Sequence, residues 1–113
     1  MHELSVAMSI VDIAMDHARK ASAERVTEVE LDIGTLSGIE YTSLEFALDV
    51  ATRDTLLEKA TFRINRIEPL AECHSCLHRF QPGGVFGTCP RCGELNPRLV
   101  SGKELQVKSL LIE

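Results

Sequence analysis

The 113-residue chain has no tryptophan and few other aromatic residues, with one tyrosine and four phenylalanines. Aliphatic side chains must therefore fill the core, which a hydrophobic content of 44% permits in a globular protein. The sequence also lacks the apolar runs of a signal peptide or a membrane span. We therefore expect a cytoplasmic protein without a membrane partner. Its length allows either one domain or a small domain that carries a smaller module held together by a metal.

Clustered positive charge is missing as well. The net charge is −5, and residues 1–68 hold thirteen acidic and seven basic side chains. Residues 69–104 hold three acidic and four basic side chains and are close to neutral. A protein that follows nucleic-acid phosphates usually carries a clustered basic face. The charge distribution therefore disfavours a nucleic-acid partner.

All the cysteine in the chain belongs to one arrangement, the two CxxC pairs Cys73, Cys76 and Cys89, Cys92. Two such turns that face each other supply four thiolates in a tetrahedron, which is the closed geometry of structural zinc. Disulfides are the weaker interpretation, because thiols stay reduced in the cytosol. The spacing predicts a four-cysteine zinc site.

The periodicity of apolar residues predicts two helices and three strands outside the cysteine pairs. These are a helix from residue 4 to about residue 21, a strand through Val29, Leu31 and Ile33, a helix over residues 44–51, a strand with Phe62 and Ile64, and a strand over residues 105–112. A capping box from Ser37 to Glu40 is expected to open the second helix.

The last predicted strand needs a sheet to join, and the candidate strands all precede the cysteine pairs. The cysteine segment is therefore an insertion. We predict an α+β fold in which two helices pack on a three-stranded sheet, with an inserted four-cysteine zinc-ribbon module. Residues 1–69 and 103–113 would form the α+β body, and residues 70–102 the zinc-binding module.

His2 stands directly before the first helix, an unusual place for this residue type. A bulky second residue generally blocks removal of the initiator methionine, so we expect a free amine on Met1. Such an amine has a pKa of about 7.7 to 8.0 and gives up its proton to a metal near neutral pH. An amine, ionised amide nitrogens and an imidazole in one plane suit Ni(II) or Cu(II). The alternative is an exposed histidine without a role.

Four segments together carry a family resemblance that none of them carries alone. They are Met1-His2-Glu3-Leu4-Ser5, Val29-Glu30-Leu31-Asp32-Ile33-Gly34, Cys73-His74-Ser75-Cys76 and Cys89-Pro90-Arg91-Cys92. With these, the chain closely resembles the HypA/HybF family of hydrogenase maturation nickel metallochaperones from end to end. The resemblance implies a nickel carrier that acts with a nickel-handling GTPase of the HypB type on the large subunit of nickel–iron hydrogenase. In some organisms the family also supports urease, which would add urease accessory proteins as partners.

The resemblance also implies a set of metal ligands. His2 would be the side-chain nickel ligand, aided by adjacent backbone nitrogens and by Glu3 or the Met1 amine, and zinc would occupy the four cysteines. Glu3 has an equal alternative, because an acidic residue in the first turn favours the helix dipole. Glu40 is interpreted as a capping residue rather than a nickel ligand. Whether the protein is a monomer or a homodimer stays open.

A histidine after the first cysteine pair suggests an exchangeable zinc ligand, as in some relatives. That residue is His78, but the matching position after the second pair is Gly93. The departure argues against a two-histidine ligand exchange in this chain. His17 and His74 are interpreted as exposed residues without a role.

Two other functions stay open at this point. One is a zinc-ribbon nucleic-acid-binding or adaptor protein, although aromatic residues are not interleaved with basic ones as in nucleic-acid grooves. The other is an iron electron carrier, because the second cysteine pair also resembles a rubredoxin knuckle. An enzyme is not expected, since a closed four-thiolate zinc site keeps no open position for a substrate.

Overall fold

The computed structural model describes residues 2–82 and 87–113. Its elements are α1 Glu3–Lys20, β1 Val26–Gly34, α2 Tyr41–Ala51, β2 Thr61–Ile67, β3 Leu70–Glu72, β4 Arg79–Phe80, β5 Arg98–Ser101 and β6 Leu105–Ile112. The predicted α+β class is confirmed, with two helices and a three-stranded sheet. The cysteine segment adds three short strands that the sequence did not predict.

The larger sheet has the strand order β2-β1-β6. β1 runs parallel to β2 and antiparallel to β6. Parallel neighbours require a crossover connection, which α2 supplies between β1 and β2. Val29, Leu31 and Ile33 of the central strand are fully buried in a core shared with both helices. The alternation in the sequence therefore predicted the buried face of β1 correctly.

α1 covers one face of this sheet with a stripe of small and branched apolar residues. Its buried apolar residues recur three and four positions apart and are Ala7, Ile10, Val11, Ala14 and Ala18. Arg19 and Lys20 lie in the last turn, where the helix dipole favours cations. The helix ends at Lys20, as its periodicity and this charge pattern predicted.

The start of α2 differs from the prediction. The N-cap is Glu40, whose carboxylate accepts the N–H groups of Thr42 and Ser43 at 3.0 Å each. The expected capping box from Ser37 is wrong, because Ser37 lies in the preceding turn and its Oγ accepts the N–H of Ile39 instead. Gly38, at φ 83°, then redirects the chain before the helix begins.

A second sheet, with the order β4-β3-β5, lies entirely in the cysteine segment and is antiparallel. Glu72 of β3 joins the three strands, because its carboxylate accepts hydrogen bonds from Arg98 at 2.6 Å and from Arg79 at 3.0 Å. The Arg98 guanidinium first, and then that of Arg79, hold the pKa of Glu72 below its ordinary value.

The two sheets meet at a close approach of backbone. A side chain at Gly34, at the end of β1, would bring a Cβ to 2.0 Å from the carbonyl oxygen of Gly102, so that glycine alone fits. Gly102 in turn lies against Pro69. The Ser101 hydroxyl donates to the Glu68 carbonyl at 2.9 Å. The two ends of the cysteine segment are therefore held side by side.

Candidate metal centre

The four cysteines converge on one site, and their sulfur atoms all lie within 4.8 Å of one another. The sulfur of Cys73 is 3.5 Å from that of Cys92, and the sulfur of Cys76 is 3.7 Å from that of Cys89. Tetrahedral zinc with Zn–S bonds of about 2.3 Å places its sulfurs about 3.8 Å apart. None of the four cysteines forms a disulfide. The arrangement therefore fits one tetrahedral ion held by four thiolates.

The same backbone turn builds both halves of the site. The N–H of Leu77 donates to the Cys73 carbonyl, and the N–H of Gly93 donates to the Cys89 carbonyl, both at 2.9 Å. The N–H of each of these first cysteines donates to the carbonyl five positions later, also at 2.9 Å. Cys73 and Cys89 are buried, whereas the second cysteine of each pair is exposed. The two halves thus present their sulfurs to a common point with similar geometry.

The thiols of the cluster differ strongly in acidity. A hydrogen bond from the Cys76 N–H makes the largest contribution to the lowered pKa of Cys73, which is about 6. The Glu94 N–H lowers the pKa of Cys92, but the adjacent Cys73 sulfur, burial and the other thiols outweigh it and raise the value to about 12. Four thiolates do not ionise together at this spacing without a cation. A bound divalent metal would supply the charge that holds all four deprotonated.

His2 is the exposed N-cap residue of α1, and its side chain makes no capping hydrogen bond. Met1 lies outside the described residues. Apart from the cysteines, residues 2–82 and 87–113 bring no group of three or more histidine, cysteine or acidic side chains within reach of one metal ion. A metal held by the His2 imidazole would therefore take at most one further ligand from these side chains, and the others from the backbone or from the amino terminus.

Glu3 is buried, and its Oε2 accepts the N–H of Glu40 at 3.0 Å. This contact joins the start of α1 to the N-cap of α2. Hydrogen bonds from the Thr42 N–H, the largest contribution, and from Ser43 hold the pKa of the Glu40 carboxyl below its ordinary value. The interpretation of Glu40 as a capping residue is confirmed. The Glu3–Glu40 contact could not be predicted from the sequence, because its two residues are 37 positions apart and no local pattern indicates it.

The other histidines lie outside the sulfur cluster. The Cys73 N–H donates to the His78 carbonyl and the Cys89 N–H donates to the Glu94 carbonyl, so the position that matches His78 in the second turn is Glu94. The match of His78 with Gly93 expected from the sequence is therefore wrong by one position. The His78 ring stacks on Phe80 with centroids 6.0 Å apart. His74 was interpreted as idle, but its Nε2 lies 3.2 Å from the Leu95 carbonyl oxygen and links the two halves of the cysteine segment. A neighbouring bond from the Ser75 hydroxyl to the Glu94 carboxylate, at 3.3 Å, supports the same link.

Fold and site together define an α+β protein with an inserted four-cysteine metal-binding cluster. The family described as "Hydrogenase/urease nickel incorporation, metallochaperone, hypA" matches residues 1–112. The chain is 44% identical to the hydrogenase maturation factor HypA of Prosthecochloris aestuarii, with both chains fully covered. It is 44% identical to the factor of the same name from Parabacteroides distasonis, covering 100% of this chain and 98% of the relative.

Two solved structures are similar along nearly the whole chain. The solution structure of the Ni metallochaperone HypA from Helicobacter pylori has a TM-score of 0.72 at 28% identity and covers 99% of this chain and 97% of its own. A second structure, described as a solution structure of HypA protein, has a TM-score of 0.79 at 27% identity, with coverage of 100% and 97%. The chain belongs to the HypA family, so the resemblance inferred from its motifs is confirmed. Neither helix in the described ranges has the length and apolar character needed to cross a membrane.

Proposed function

We propose that this protein is a nickel metallochaperone for hydrogenase maturation, with one nickel site at the amino terminus and one structural zinc site on the four cysteines. Family membership supports the general role. The assignment of the two metals to separate sites is supported by a contrast between the cysteine cluster and the amino terminus. The cysteines form a closed set of four ligands, whereas His2 stands exposed at the end of the chain with its ring uncommitted to capping.

A complete set of protein ligands suits a metal ion that stays bound, and an incomplete set suits an ion that is carried and released. Four thiolates complete the tetrahedron of zinc and leave no position for exchange. At the amino terminus, the first N–H groups of a helix are outside the intrahelical ladder, so amide nitrogens there can coordinate without breaking helical hydrogen bonds. Nitrogen ligands of this kind suit Ni(II). We assign the cargo to His2 and the Met1 amine, with Glu3 either binding nickel directly or fixing the start of α1.

The cysteine segment offers little support for nucleic-acid binding. Residues 69–104 contain four basic side chains. Two of them, Arg79 and Arg98, form ion pairs with the carboxylate of Glu72. A groove that follows phosphates needs available positive charge. Delivery to a protein partner fits the composition better, and we propose a nickel-handling GTPase of the HypB type and the large subunit of nickel–iron hydrogenase as partners. Urease maturation is a further client for the same activity, through urease accessory proteins.

The test compares His2→Ala with His17→Ala in untagged protein. Both histidines are exposed on α1, one as its N-cap and the other in its last turn, so the pair separates position from residue type. We expect His2→Ala to lose stoichiometric nickel, while the zinc content and the melting temperature stay near those of the parent. His17→Ala should keep both metals. Elemental analysis after equilibrium dialysis gives the counts, and unchanged nickel binding by His2→Ala would contradict the proposal.

Two further measurements divide the proposal into its parts. Glu3→Gln retains the size of the side chain and the ability to accept the Glu40 N–H, so lost nickel with unchanged stability would make Glu3 a ligand. Delivery requires faster nickel transfer to the hydrogenase large subunit with the GTPase present than without it. Equal rates in the two conditions would argue for an adaptor that contains zinc and does not carry nickel.

A further inference from the structure

β2 forms one edge of the larger sheet, and no strand in the part of the chain that the structure describes lies on its outer side. The strand has seven residues and contains no proline. Its two arginines do not extend beyond the edge, because each is held by its own chain. The Arg63 guanidinium pairs with Glu28 at 2.8 Å, and that of Arg66 lies over the Tyr41 ring, 4.2 Å from the ring centre. The backbone of β2 is therefore open to another strand.

Alternate residues of β2 direct their backbone groups to this open side. The Ile67 carbonyl accepts the Thr35 N–H at 3.0 Å, on the side of β1. Because successive residues of a strand point their N–H and C=O groups to opposite sides, those of Phe62, Ile64 and Arg66 point outward. The side chains of the same three residues line a groove between β2 and α2. A strand added at this edge would thus place every second side chain in the groove.

The groove between α2 and β2 has a volume of ≈ 370 Å³, which lies within the range of about 300–1,000 Å³ that is usual for ligand pockets. Apolar side chains form part of its lining. They are Leu48, which is buried, and Phe62 and Ile64, which are half-buried. The groove can therefore hold side chains of a bound segment against an apolar surface.

Carboxylates at the rim of the groove give it a negative charge. They belong to the exposed residues Glu45, Asp49 and Glu58. None of the three forms an ion pair within residues 2–82 and 87–113. The lining includes one basic side chain, that of Arg66, and its guanidinium rests on Tyr41. Three negative charges against one positive charge make the groove complementary to a cationic ligand.

Lysine matches both parts of this lining. Its methylene stem packs along apolar surface while its ammonium group stays at the water-exposed rim, where the carboxylates lie. An apolar side chain in the same place would remove water from these carboxylates without replacing the lost hydrogen bonds. The groove therefore favours a segment that carries lysine at alternate positions.

We propose that an extended, lysine-bearing segment of a partner protein binds in this groove as an antiparallel strand on β2. Backbone hydrogen bonds to the strand edge supply affinity, and the alternate side chains supply specificity. Antiparallel pairing is the more stable of the two orientations per residue. Lysines lie opposite Phe62 and Ile64, and their ammonium groups pair with the carboxylates at the rim. A neutral residue lies opposite Arg66, where a like charge would be destabilising.

The probe is a seven-residue threonine peptide with lysine at its fourth and sixth positions, amidated at its carboxyl end and labelled with fluorescein at its amino end. Fluorescence anisotropy measures its binding to the full-length, metal-loaded, untagged protein. The matched control peptide carries the lysines at its fourth and fifth positions, which places them on opposite faces of a strand. We expect saturable binding of the probe and about fivefold weaker binding of the control, which loses one ion pair. No binding of the probe, or equal binding of the two peptides, would overturn the proposal.

Methylated peptides test the strand and its direction. In an antiparallel strand the lysine amides point to β2, because residues directly opposite Phe62 and Ile64 exchange hydrogen bonds with them. N-methylation of both lysine amides should therefore remove binding, whereas N-methylation of the third and fifth threonine amides should retain it. The reverse result would indicate a parallel strand and overturn the orientation. Unchanged binding by both methylated peptides would exclude strand addition.

Variants of the protein test the charge of the groove. Asp49→Lys should weaken probe binding about tenfold, since it replaces an attraction with a repulsion, and Asp49→Asn about threefold. Asp12→Lys and Asp12→Asn are the matched controls, because Asp12 is exposed on α1 and does not line the groove. We expect the control variants to bind the probe as the parent does. Equal losses at the two positions would indicate a general attraction between opposite charges and contradict the assignment.

Hydrogen exchange resolved by residue locates the bound peptide. The amides of Phe62 and Ile64 should become more protected when the probe is added, while those of Arg63 and Asn65, which face β1, should change little. Protection at β6 in place of β2 would overturn the assignment. Protection of the same β2 amides on raising the protein concentration without the probe would make a second copy of the chain the occupant, which would also overturn it.

Discussion

Leu77 is the residue whose backbone conformation suits its side chain least. It has φ 62°, in the left-handed region, and its side chain is 67% exposed, so burial does not offset the strain. The other non-glycine residues with positive φ in the described ranges are Ser22, Asp54 and Asn96, all short and polar. The equivalent position in the second cysteine turn is Gly93, at φ 77°. The turn geometry requires this conformation, and leucine tolerates it poorly.

Replacing Leu77 by glycine should therefore stabilise the metal-loaded protein. The left-handed conformation destabilises a non-glycine residue by about 1–2 kcal/mol. Glycine removes this strain but destabilises the fold by about 0.5–1 kcal/mol, because it makes the unfolded chain more flexible. We expect a net gain of about 0.5 kcal/mol in the free energy of unfolding, measured by urea denaturation. Leu77→Ala retains the strain and is the control. If alanine stabilises as much as glycine, the exposed side chain rather than the backbone is responsible.

At the residue scale, local contacts could be predicted from the sequence and long-range contacts could not. The convergence of the four cysteines could be predicted from their spacing, because two CxxC turns can face each other around one metal ion. The contact between Glu3 and the Glu40 amide could not, since it depends on how two helices pack. Ser37 and Glu40 satisfied the spacing of a capping box, yet the turn at Gly38 made Glu40 the cap. Local patterns identified Glu40 as a capping residue, but they did not predict the hydrogen-bond partners that depend on tertiary structure.

Among the secondary-structure elements, length decided what could be predicted. α1 and β1 are long enough to repeat their apolar period, and β6 was predicted from the apolar residues of positions 105–112. β3, β4 and β5 have only three, two and four residues, and the Glu72 carboxylate bonds across them to Arg79 and Arg98. Such strands have no period to detect. The parallel pairing of β1 with β2 likewise depends on the α2 crossover rather than on either strand.

Removal of the metal should act on one group of elements and spare the other. In our proposed division, residues 70–102 form a module and the rest forms the body. The buried apolar residues of the module, within its described part, are Ala71, Cys73 and Cys89. Metal binding contributes about 10 kcal/mol or more to small modules of this kind. We expect a chelator to expose the amides of β3–β5 to hydrogen exchange while β1 and α1 stay protected. Equal protection of the module with and without metal would contradict this division.

On the scale of the whole molecule, the polar face of the larger sheet links stability to pH. Glu30 on β1 accepts hydrogen bonds from Asn65 of β2 and Ser109 of β6, at 2.8 and 3.1 Å. The Asn65 bond first, and then that from Ser109, lower the pKa of Glu30 from its ordinary value of 4.5. Because the folded-state pKa is the lower one, ionised Glu30 stabilises the fold fully above about pH 4.5 and loses this effect as the pH falls through the folded-state value.

The corresponding prediction concerns the difference between parent and Glu30→Gln. We expect the variant to be less stable near neutral pH and the gap to narrow as the pH falls below about 4.5, since protonation abolishes the same charge in the parent. Urea midpoints over this range measure the gap. Glu58→Gln, at an exposed position away from the sheet face, is the control for a general loss of charge. A gap that stays constant with pH would exclude Glu30 as the linked group.

The position of the cysteine segment between β2 and β6 has a consequence for how the chain assembles. β6 pairs with β1 although the whole cysteine segment lies between them in the sequence. One contact between the two strands, from the Thr27 hydroxyl to the Leu111 carbonyl, joins residues 84 positions apart. Closing a flexible loop costs about 0.6 kcal/mol of entropy for each doubling of its length. The approach of Gly34, Pro69 and Gly102 holds the ends of the segment together, so a segment already folded around its metal is a short connection rather than a long coil. A metal ion bound by the four cysteines would thereby lower the entropic barrier to completing a sheet that contains none of its ligands.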